Sequence, residues 1–473
     1  MAKKAELVFL PSTLPGHIVS AIELAKLLIA RDDSLSITIL LIKFPKTPNF
    51  NATGIRFIDL PQLDPPSPNT AQTPEAIISI FMENHKPLVK DTITQLFFSS
   101  SSDFDSKGTR SRLVGLVIDF VCTTMIDIAN ELGVPSYLFF TSTAYMLGLM
   151  LHLPVLDAQI HTDFKDLATE LSIPSFISPV PPQVLPLPMW TRNQYGYTWY
   201  LNHGCRFREV KGIIVNTFAE LEPYAVHSLT SDGRTPPLYP VGPLLDIQGQ
   251  ILNPDQTDFE NIMRWLDDQP TSSVVFLCFG SSGSFSAPQI KEIALGLERS
   301  GHRFLWSIRE PPQDRLALPG DYTNPEEVLP EGFLDRTAGR GMVCGWVPQV
   351  AMLAHRAIGG FVSHCGWNSI LESLWFDVPI AAWPLYAEQH LNGFEMVKEL
   401  GGLAVELKMD FRGGDDDLVM AEEVEIAVRR LMDSDCEVTK KVKEMSEKSR
   451  RALMDGGSSF ISLGRLIKDL MEN

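Results

Sequence analysis

Short apolar segments alternate with segments whose apolar residues recur at helical spacing along much of the 473-residue chain. Continuous apolar runs are typical of buried strands, and a period of about 3.6 residues is typical of amphipathic helices. Two strand–helix–strand units are predicted in the first half: Leu7 to Leu10, Ile18 to Ala30 and Ile37 to Ile42, then Leu113 to Ile118, Met125 to Leu132 and Val134 to Phe140. Because such crossovers connect parallel strands, we expect a parallel sheet.

A polar stretch with little periodicity, Asp246 to Asp258, indicates a linker between two domains. Beyond it, Ser286 is the predicted N-cap of a helix with Pro288 in its first turn and Gln289 at the capping-box position. The predicted strands of this half are Val274 to Phe279, Phe304 to Ile308, Met342 to Val347, Gly359 to Ser363 and Val378 to Ala382. We therefore expect an α/β protein with two doubly wound, Rossmann-like domains facing a cleft, residues 1–245 and 261–450, joined by a linker at 246–260.

Composition is that of an ordinary globular protein, with 44% hydrophobic and 21% charged residues. Asp and Glu (58) outnumber Lys and Arg (40), and the net charge of −18 argues against a nucleic-acid or anionic-membrane partner. The six cysteines include no CxxC pair, which indicates neither a zinc site nor a disulfide framework. No apolar run reaches the ~18 residues of a membrane span, and Pro11 interrupts the N-terminal run, which argues against a signal peptide. A cytoplasmic monomer is expected.

The segment from Trp346 to Gln389 gathers polar and aromatic residues around a predicted strand, turn and helix. The strand Ile358 to Ser363 is expected to turn sharply at Gly366 into the helix. The first backbone N–H groups of a helix lack partners and the helix dipole is positive there, so such a turn binds phosphate. The neighbouring aromatic and acidic side chains are suited to hold a base and sugar hydroxyls, which predicts a nucleotide-sugar site.

Four residues of this segment also have purely structural interpretations. Ser369 and Glu372 match the S-x-x-E capping box, whose N-cap is worth ~0.5–2 kcal/mol to a helix. Alternatively they offer a hydroxyl to phosphate and a carboxylate to ribose. Trp346 and Trp367 are either core aromatics or stacking partners of a base. Spacing alone does not decide between these interpretations.

His17 and Asp119 are the candidate catalytic pair, because each lies where a predicted strand of the first domain ends. A helix N-terminus disfavours imidazolium, so His17 is expected to be neutral and able to accept a proton. Asp119 would hold one ring nitrogen and stabilise the imidazolium that forms when the other takes a proton. The alternatives are a helix-capping or merely exposed His17, and an Asp119 that caps the helix near Thr123.

Position by position, Trp346 to Gln389 resembles the signature of plant secondary-product glycosyltransferases, the plant members of the UDP-dependent family 1 enzymes. His17, Asp119 and the run from Phe279 to Ser281 match as well, so the likeness spans both domains. It is closest to enzymes that act on flavonoids, other phenolics and terpenoids. The resemblance implies a GT-B fold, with an N-terminal acceptor-binding domain, a C-terminal domain that binds UDP-glucose and a final helix within 451–473 that crosses back.

The resemblance also implies a role for each matching residue. The donor contacts it implies are Trp346 and Val347 with uracil, Gln349 and Glu372 with ribose, Ser281, His364, Asn368 and Ser369 with the diphosphate, Trp367, Glu388, Gln389 and Thr141 with glucose, and Gly366 and Tyr386 within the same site. His17 is the implied general base and Asp119 its partner. The acceptor is a small, hydrophobic, hydroxylated molecule, the anomeric configuration inverts, and neither a metal nor another cofactor is required.

Two positions depart from the family pattern. Leu14 stands where glycine is usual before His17, which puts a side chain where the acceptor would lie. Asp377 replaces the usual glycine before Val378, and aspartate tolerates left-handed backbone better than most residues, so a modest cost is expected. Gln389 fits glucose better than galactose, whose transferases in this family often carry histidine there.

Other classes of protein fit the sequence less well. Asp103-x-Asp105 and Asp415-x-Asp417 resemble a motif of metal-dependent glycosyltransferases of another fold, but both lie in polar loops and are interpreted as solvated turns. The run from Phe279 to Gly283 matches neither G-x-G-x-x-G nor G-x-S-x-G, which argues against a nicotinamide-dependent oxidoreductase and an α/β hydrolase. A catalytically silent sugar-nucleotide-binding protein is the main non-enzyme alternative, and His17 with Asp119 discriminates against it.

Overall fold

A computed structural model describes residues 4–44, 49–66, 73–99, 112–192, 194–247, 256–312, 318–411, 417–433 and 435–472. Its strands are β1 (Ala5–Leu10), β2 (Leu35–Leu41), β3 (Ile55–Asp59), β4 (Arg112–Asp119), β5 (Ser136–Phe140), β6 (Gly212–Val215), β7 (Leu238–Pro240), β8 (Val274–Cys278), β9 (Arg303–Ser307), β10 (Gly341–Cys344), β11 (Ile358–Ser363), β12 (Ile380–Ala382) and β13 (Ala404–Glu406). Its α-helices are α1 (Pro15–Arg31), α2 (Pro74–Asn84), α3 (Lys86–Phe97), α4 (Ile126–Leu132), α5 (Ala144–Gln159), α6 (Tyr195–Arg206), α7 (Pro223–Ser231), α8 (Gln256–Asp267), α9 (Ala287–Ser300), α10 (Phe333–Arg336), α11 (Gln349–Leu353), α12 (Trp367–Trp375), α13 (Gln389–Phe394), α14 (Ala421–Leu431), α15 (Glu437–Leu453) and α16 (Ser458–Met471). A π-helical turn, Glu395–Glu399, follows α13 directly.

The described strands form two parallel sheets. The first has the order β3-β2-β1-β4-β5-β6-β7 and the second β10-β9-β8-β11-β12-β13. In the first sheet β1 lies between β2 and β4, and in the second sheet β8 lies between β9 and β11. The strand order therefore reverses direction at β1 and at β8. Open α/β sheets bind ligands at such switch points, beyond the carboxyl ends of the strands. The prediction of two doubly wound domains is confirmed.

The C-terminal helix α16 packs against the first domain. Leu466 and Leu470 are buried in the same apolar core as Leu7 and Ile22, on one face of the first sheet. The Ser459 hydroxyl donates to the Gly242 carbonyl at 2.6 Å, which fixes the start of the helix at that domain. Burying these leucines stabilises the helix by ~1.5–3 kcal/mol for each side chain. The end of the chain therefore ties the second domain back to the first.

Helix α5 is apolar on every side because it is a core helix. All residues from Ala144 to Leu151 are buried, and Thr143 caps its first turn by accepting a hydrogen bond from the Met146 N–H at 2.8 Å. A helix hydrophobic all round belongs in a core or a bilayer. Within the described ranges, no helix combines the length and the apolar character needed to cross a membrane.

Two local expectations in the second domain were wrong. Ser286 does occupy the N-cap of α9, but its side chain makes no capping hydrogen bond. The Gln289 side chain instead exchanges two hydrogen bonds of 2.8 Å with the Val419 backbone, which satisfies a buried amide across the domain. The predicted linker at 246–260 also overlaps α8, which packs into the core through the buried Ile262 and Leu266.

Candidate active site

His17 and Asp119 meet at the carboxyl edge of the first sheet. His17 is the third residue of α1, which follows β1, and Asp119 ends the neighbouring strand β4. His17 Nδ1 lies 2.8 Å from Asp119 Oδ2, the imidazole is 19% exposed and the Asp119 side chain is fully buried. The tautomer that donates from Nδ1 to the carboxylate leaves the lone pair of Nε2 able to accept a proton.

The sequence-based alternatives for this pair were wrong. Asp119 does not cap the helix near Thr123, because its Oδ1 accepts from the Val121 N–H at 3.1 Å and its Oδ2 contacts His17. His17 is neither exposed nor a cap. The prediction of a neutral His17 considered only the helix N-terminus and left out two nearby carboxylates. Burial lowers the pKa of His17, but the charge and hydrogen bond of Asp119, with a smaller contribution from Glu388, together raise it above 6.5.

Thr141 and Phe120 complete the surroundings of the imidazole. Thr141 follows β5, and its hydroxyl lies 3.2 Å from His17 Nδ1. The Phe120 ring lies 5.4 Å from the imidazole between centroids and covers one side of it. Thr141 was predicted as a sugar contact, and its hydroxyl also touches His17. Phe120 was missed, although its place directly after Asp119 is visible in the sequence.

The turn after β11 is built around His364. Cys365 adopts a left-handed backbone (φ 62°), whereas Gly366 is extended (φ −62°), so the sharp turn falls at Cys365 and not at Gly366 as predicted. A Cβ on Gly280 or on Gly366 would lie 2.6 Å from His364 Nε2, so both glycines leave room for the ring. Burial lowers the pKa of His364 to about 4, and its Nδ1 has no hydrogen-bond partner among the described residues.

The capping-box interpretation of Ser369 and Glu372 was wrong, because α12 begins at Trp367 with Gly366 as its N-cap. Ser369 is the third helical residue and Glu372 lies inside the helix. Gln349 Nε2 donates to Ser369 Oγ at 2.8 Å and to Glu372 Oε2 at 2.6 Å. Burial raises the pKa of Glu372 to about 7, against the opposing influence of Gln349. These three side chains form a polar cluster beside the free N–H groups of α12.

The remaining predicted donor contacts lie in three loops: Trp346 and Val347 for uracil, Ser281 for the diphosphate, and Tyr386 within the same site. Trp346 is partly exposed, and its backbone N–H donates to Asp321 at 2.9 Å, whereas Val347 is buried. Ser281 is exposed after the left-handed Gly280 (φ 72°) that follows β8. The Tyr386 ring lies 6.3 Å from the His364 ring between centroids. Trp346 is therefore available for stacking rather than sealed in the core.

Trp367, Glu388 and Gln389 lie where the two domains meet. The Trp367 indole is buried and donates from Nε1 to the Asn216 carbonyl of the first domain at 2.7 Å. Gln389 Oε1 accepts two backbone N–H groups of the preceding loop at 3.0 Å, which orients its amide nitrogen. Burial raises the pKa of Glu388, an effect the nearby His17 opposes.

Asn368 joins the two halves of the site. Its Nδ2 donates to the Gly16 carbonyl at 3.2 Å, and its Oδ1 accepts from the Ser20 hydroxyl at 3.3 Å. The start of α12 in the second domain thus lies against the start of α1, which carries His17. Ser20 and Asn216 were missed, because backbone and hydroxyl contacts across a cleft leave no pattern in the sequence.

The departures from the family pattern fall at the edge of the site and behind it. Leu14 is the N-cap residue of α1, three positions before His17, and is 36% exposed. Asp377 has a left-handed backbone (φ 62°), which confirms the conformation predicted for it. Of the two aspartate pairs, Asp103, Asp105 and Asp415 lie outside the described residues. The described part of the chain contains no cluster of three His, Cys, Asp or Glu residues suited to a metal.

The fold and this cleft define a transferase that uses a nucleotide-linked sugar, and comparison with known proteins gives its family. Residues 237–446 match the family described as UDP-glucoronosyl and UDP-glucosyl transferase. UDP-glycosyltransferase 71A15 of Malus domestica is 52% identical over 99% of both chains. UDP-glucose flavonoid 3-O-glucosyltransferase 6 of Fragaria ananassa is 48% identical over 99% of both chains.

A solved structure supports the same assignment. The chain superposes on a Medicago truncatula glycosyltransferase complexed with UDP-glucose with a TM-score of 0.88, at 46% identity and over 99% of this chain and 98% of the other. The chain therefore belongs to the plant family 1 UDP-glycosyltransferases. It has their GT-B fold and is a hexosyltransferase.

Proposed function

We propose that this protein is an inverting, UDP-glucose-dependent O-glucosyltransferase that acts on small hydroxylated plant metabolites, with His17 as general base. The observation that carries the proposal is the contact of 2.8 Å between His17 and the buried Asp119, beside the helix start that would hold the diphosphate. A protein that only bound the nucleotide sugar would have no use for this pair.

His17 Nε2 removes the proton from an acceptor hydroxyl while the hydroxyl oxygen attacks the anomeric carbon. The C–O bond to UDP breaks in the same displacement through a transition state with oxocarbenium character, so the configuration inverts. The imidazolium formed is stabilised by Asp119, which accepts its Nδ1–H. The raised pKa of His17 makes it a stronger base, which becomes protonated at a higher pH than an ordinary histidine.

The departing UDP is held by the second domain. The N–H groups at the start of α12 and the ring of His364 face the diphosphate, and Asn368 and Ser369 add polar side-chain groups. Gln349 and Glu372 bind the ribose hydroxyls, and Trp346 stacks on uracil. Because these neutral donors and the helix dipole meet the charge that grows on the leaving group, we propose that transfer requires no metal.

Gln389 and Glu388 bind the glucose hydroxyls, with Thr141 approaching from the first domain. Two backbone N–H groups hold the Gln389 amide oxygen, which leaves its amide NH2 group, beside the Tyr386 hydroxyl, as the donor to a glucose hydroxyl. The acceptor lies between His17 and Leu14, and Phe120 supplies an apolar wall. A flat phenolic ring suits such a wall, and a flavonoid acceptor agrees with the name of the Fragaria relative.

An acceptor screen tests this proposal. The purified protein is incubated with UDP-glucose and, separately, a flavonol, a simple phenol and a triterpene alcohol, and UDP release and product are measured. We expect UDP release that depends on the acceptor, and a β-glucoside from the α-linked donor by NMR. Release of UDP that never depends on an acceptor, or an α-glucoside product, would contradict the proposal.

A further inference from the structure

A second buried histidine, His203, connects neighbouring elements of the first domain to the turn that follows Asp119. His203 lies in α6 and is 1% exposed. Its Nδ1 lies 2.7 Å from the Thr123 hydroxyl, and its Nε2 lies 3.0 Å from the Ser79 hydroxyl. Thr123 and Ser79 are buried as well, so the three side chains are bonded to one another away from solvent. None of the three has a role in the proposed transfer step.

The neutral imidazole of His203 is matched to these two hydroxyls. It has one N–H that donates and one nitrogen that accepts, whereas a hydroxyl can do either, so each tautomer satisfies both contacts. Burial, together with the charge of Arg206, lowers the pKa of His203 to about 3, and the ring is therefore neutral throughout the range in which His17 titrates. Loss of either contact leaves a buried hydroxyl without its partner, which is unfavourable.

The Thr123 end of this group leads to the catalytic pair. The Cys122 N–H donates to the Asp119 carbonyl at 2.8 Å, and the Val121 N–H donates to Asp119 Oδ1 at 3.1 Å, which closes a tight turn. Thr123 is the next residue and starts a short 3₁₀ turn. Because the turn is so short, a shift at Thr123 moves the backbone that directs the Asp119 carboxylate.

The Ser79 end of this group leads away from the catalytic pair. Ser79 lies in α2, which packs against α6. The Trp199 ring, also on α6, lies 5.4 Å from the His203 ring between centroids. The contact with Ser79 therefore joins two helices, whereas the contact with Thr123 reaches the turn of the catalytic carboxylate. Loss of one contact should have consequences that differ from loss of the other.

We propose that His203 is a positioning residue, which fixes the turn after β4 through the Thr123 hydroxyl and so holds the Asp119 carboxylate against His17. The distance of 2.8 Å between His17 Nδ1 and Asp119 Oδ2 depends on where this turn lies. The contact with Ser79 anchors the ring between α6 and α2 and serves stability. This inference rests on the proposed roles of His17 and Asp119.

Two substitutions of His203 separate the two contacts. The side-chain amide of asparagine lies near the position of imidazole Nδ1, and that of glutamine near the position of Nε2. His203→Asn therefore keeps a partner for Thr123, and His203→Gln keeps one for Ser79. Melting temperature and transfer from UDP-glucose to a flavonol are measured for both. Both variants should melt at a lower temperature, but kcat should fall about tenfold in His203→Gln and less than about twofold in His203→Asn.

The pH profile distinguishes a positioning role from a simple loss of stability. Burial lowers the pKa of His17, whereas Asp119, with a smaller contribution from Glu388, raises it above 6.5. An Asp119 that is held less closely raises this pKa less, so the acid limb of kcat/KM in His203→Gln should move to lower pH. His203→Asn should keep the acid limb of the unsubstituted protein.

Substitutions of the two hydroxyls repeat the comparison without changing the ring. Thr123→Val removes a hydroxyl at nearly constant volume and should reproduce His203→Gln, whereas Ser79→Ala should reproduce His203→Asn. His85→Gln is the matched control. His85 is as buried as His203, but its Nδ1 donates to the Phe81 carbonyl at 2.7 Å and not to the turn after Asp119. This variant should lower the melting temperature and leave kcat and the acid limb unchanged.

Two outcomes would overturn the positioning role: an equal loss of kcat in His203→Gln and His203→Asn, or a lower melting temperature of His203→Gln with kcat and the acid limb unchanged. If a His203 variant does not fold, Thr123→Val and Ser79→Ala decide by the same criteria. Failure of the proposed function gives a different result, in which His17→Ala itself retains full transfer activity in the same assay.

Discussion

Replacing Asp119 by asparagine separates the charge of this residue from its shape. The amide oxygen of the new side chain can accept from the Val121 N–H as Asp119 Oδ1 does at 3.1 Å, and its NH2 group then faces His17 Nδ1, where Oδ2 now lies at 2.8 Å. An NH2 group donates, so His17 must accept at Nδ1 and carry its proton on Nε2. The nitrogen that faces the acceptor would then be unable to take a proton.

The size of the effect follows from the lost interactions. A hydrogen bond to a charged group is worth ~1.5–3 kcal/mol, or about 10- to 150-fold, and general-base catalysis as a whole contributes ~10²–10⁴-fold. We expect kcat to fall by ~10²–10³-fold. The acid limb of kcat/KM should also move to lower pH, because burial lowers the pKa of His17 and, without Asp119, only the smaller influence of Glu388 opposes it.

The assay is the initial rate of transfer to a flavonol over a range of pH, with UDP affinity measured separately. His17 must be neutral to act, so activity in the unsubstituted protein should rise with pH through a value above 6.5. UDP affinity should change by less than about twofold, because Asp119 lies in the other domain. A kcat reduced by less than tenfold together with an unmoved acid limb would refute the role of Asp119.

Three further predictions concern the donor site. UDP binding should tighten and release a proton as pH rises through about 7, because burial raises the pKa of Glu372 and ribose hydroxyls favour its ionised form. Calorimetry in buffers of different ionisation enthalpy measures the number of protons released. Uptake of a proton on binding would count against this prediction. Gly366→Ala keeps an allowed backbone (φ −62°) but places a methyl group 2.6 Å from His364 Nε2. UDP should therefore bind about tenfold more weakly, with little change in melting temperature. Unchanged UDP affinity would show that the position of the His364 ring against Gly366 does not matter for binding. Gln389→His loses an amide oxygen that accepts two backbone N–H groups at 3.0 Å, so the rate of transfer from UDP-glucose should fall relative to the rate from UDP-galactose. An unchanged ratio of the two rates would show that Gln389 does not contact the sugar.

Much of the fold could be predicted because strands such as β5 and β8 are short, largely apolar runs buried on both faces. The two predicted ranges for β11, Ile358 to Ser363 and Gly359 to Ser363, differ from the structure by at most one residue. The pairing of His17 with Asp119 was also predictable, because the carboxyl ends of neighbouring parallel strands meet at one edge. The left-handed backbone of Asp377 followed from the tolerance of aspartate for that conformation.

Other features could not be predicted, because they depend on contacts between distant residues. The left-handed residue of the turn after β11 is Cys365, which has no special preference for that conformation, so the turn was assigned to Gly366, the N-cap of α12. The basicity of His17 depends on a balance between burial and two carboxylates from different domains. Glu222 and Glu395 look like ordinary helix-end residues until the fold buries both at the start of α5, where Glu222 accepts from the Tyr145 N–H and Glu395 from the Thr143 hydroxyl.

The most direct test of the account is the variant His17→Ala, measured for both transfer and UDP binding. The account predicts that transfer to a hydroxyl acceptor falls by at least about a hundredfold while the dissociation constant of UDP changes by less than about twofold. This result would separate the base in the first domain from the donor site in the second. Full activity of the variant, or a loss of UDP affinity equal to the loss of rate, would contradict it.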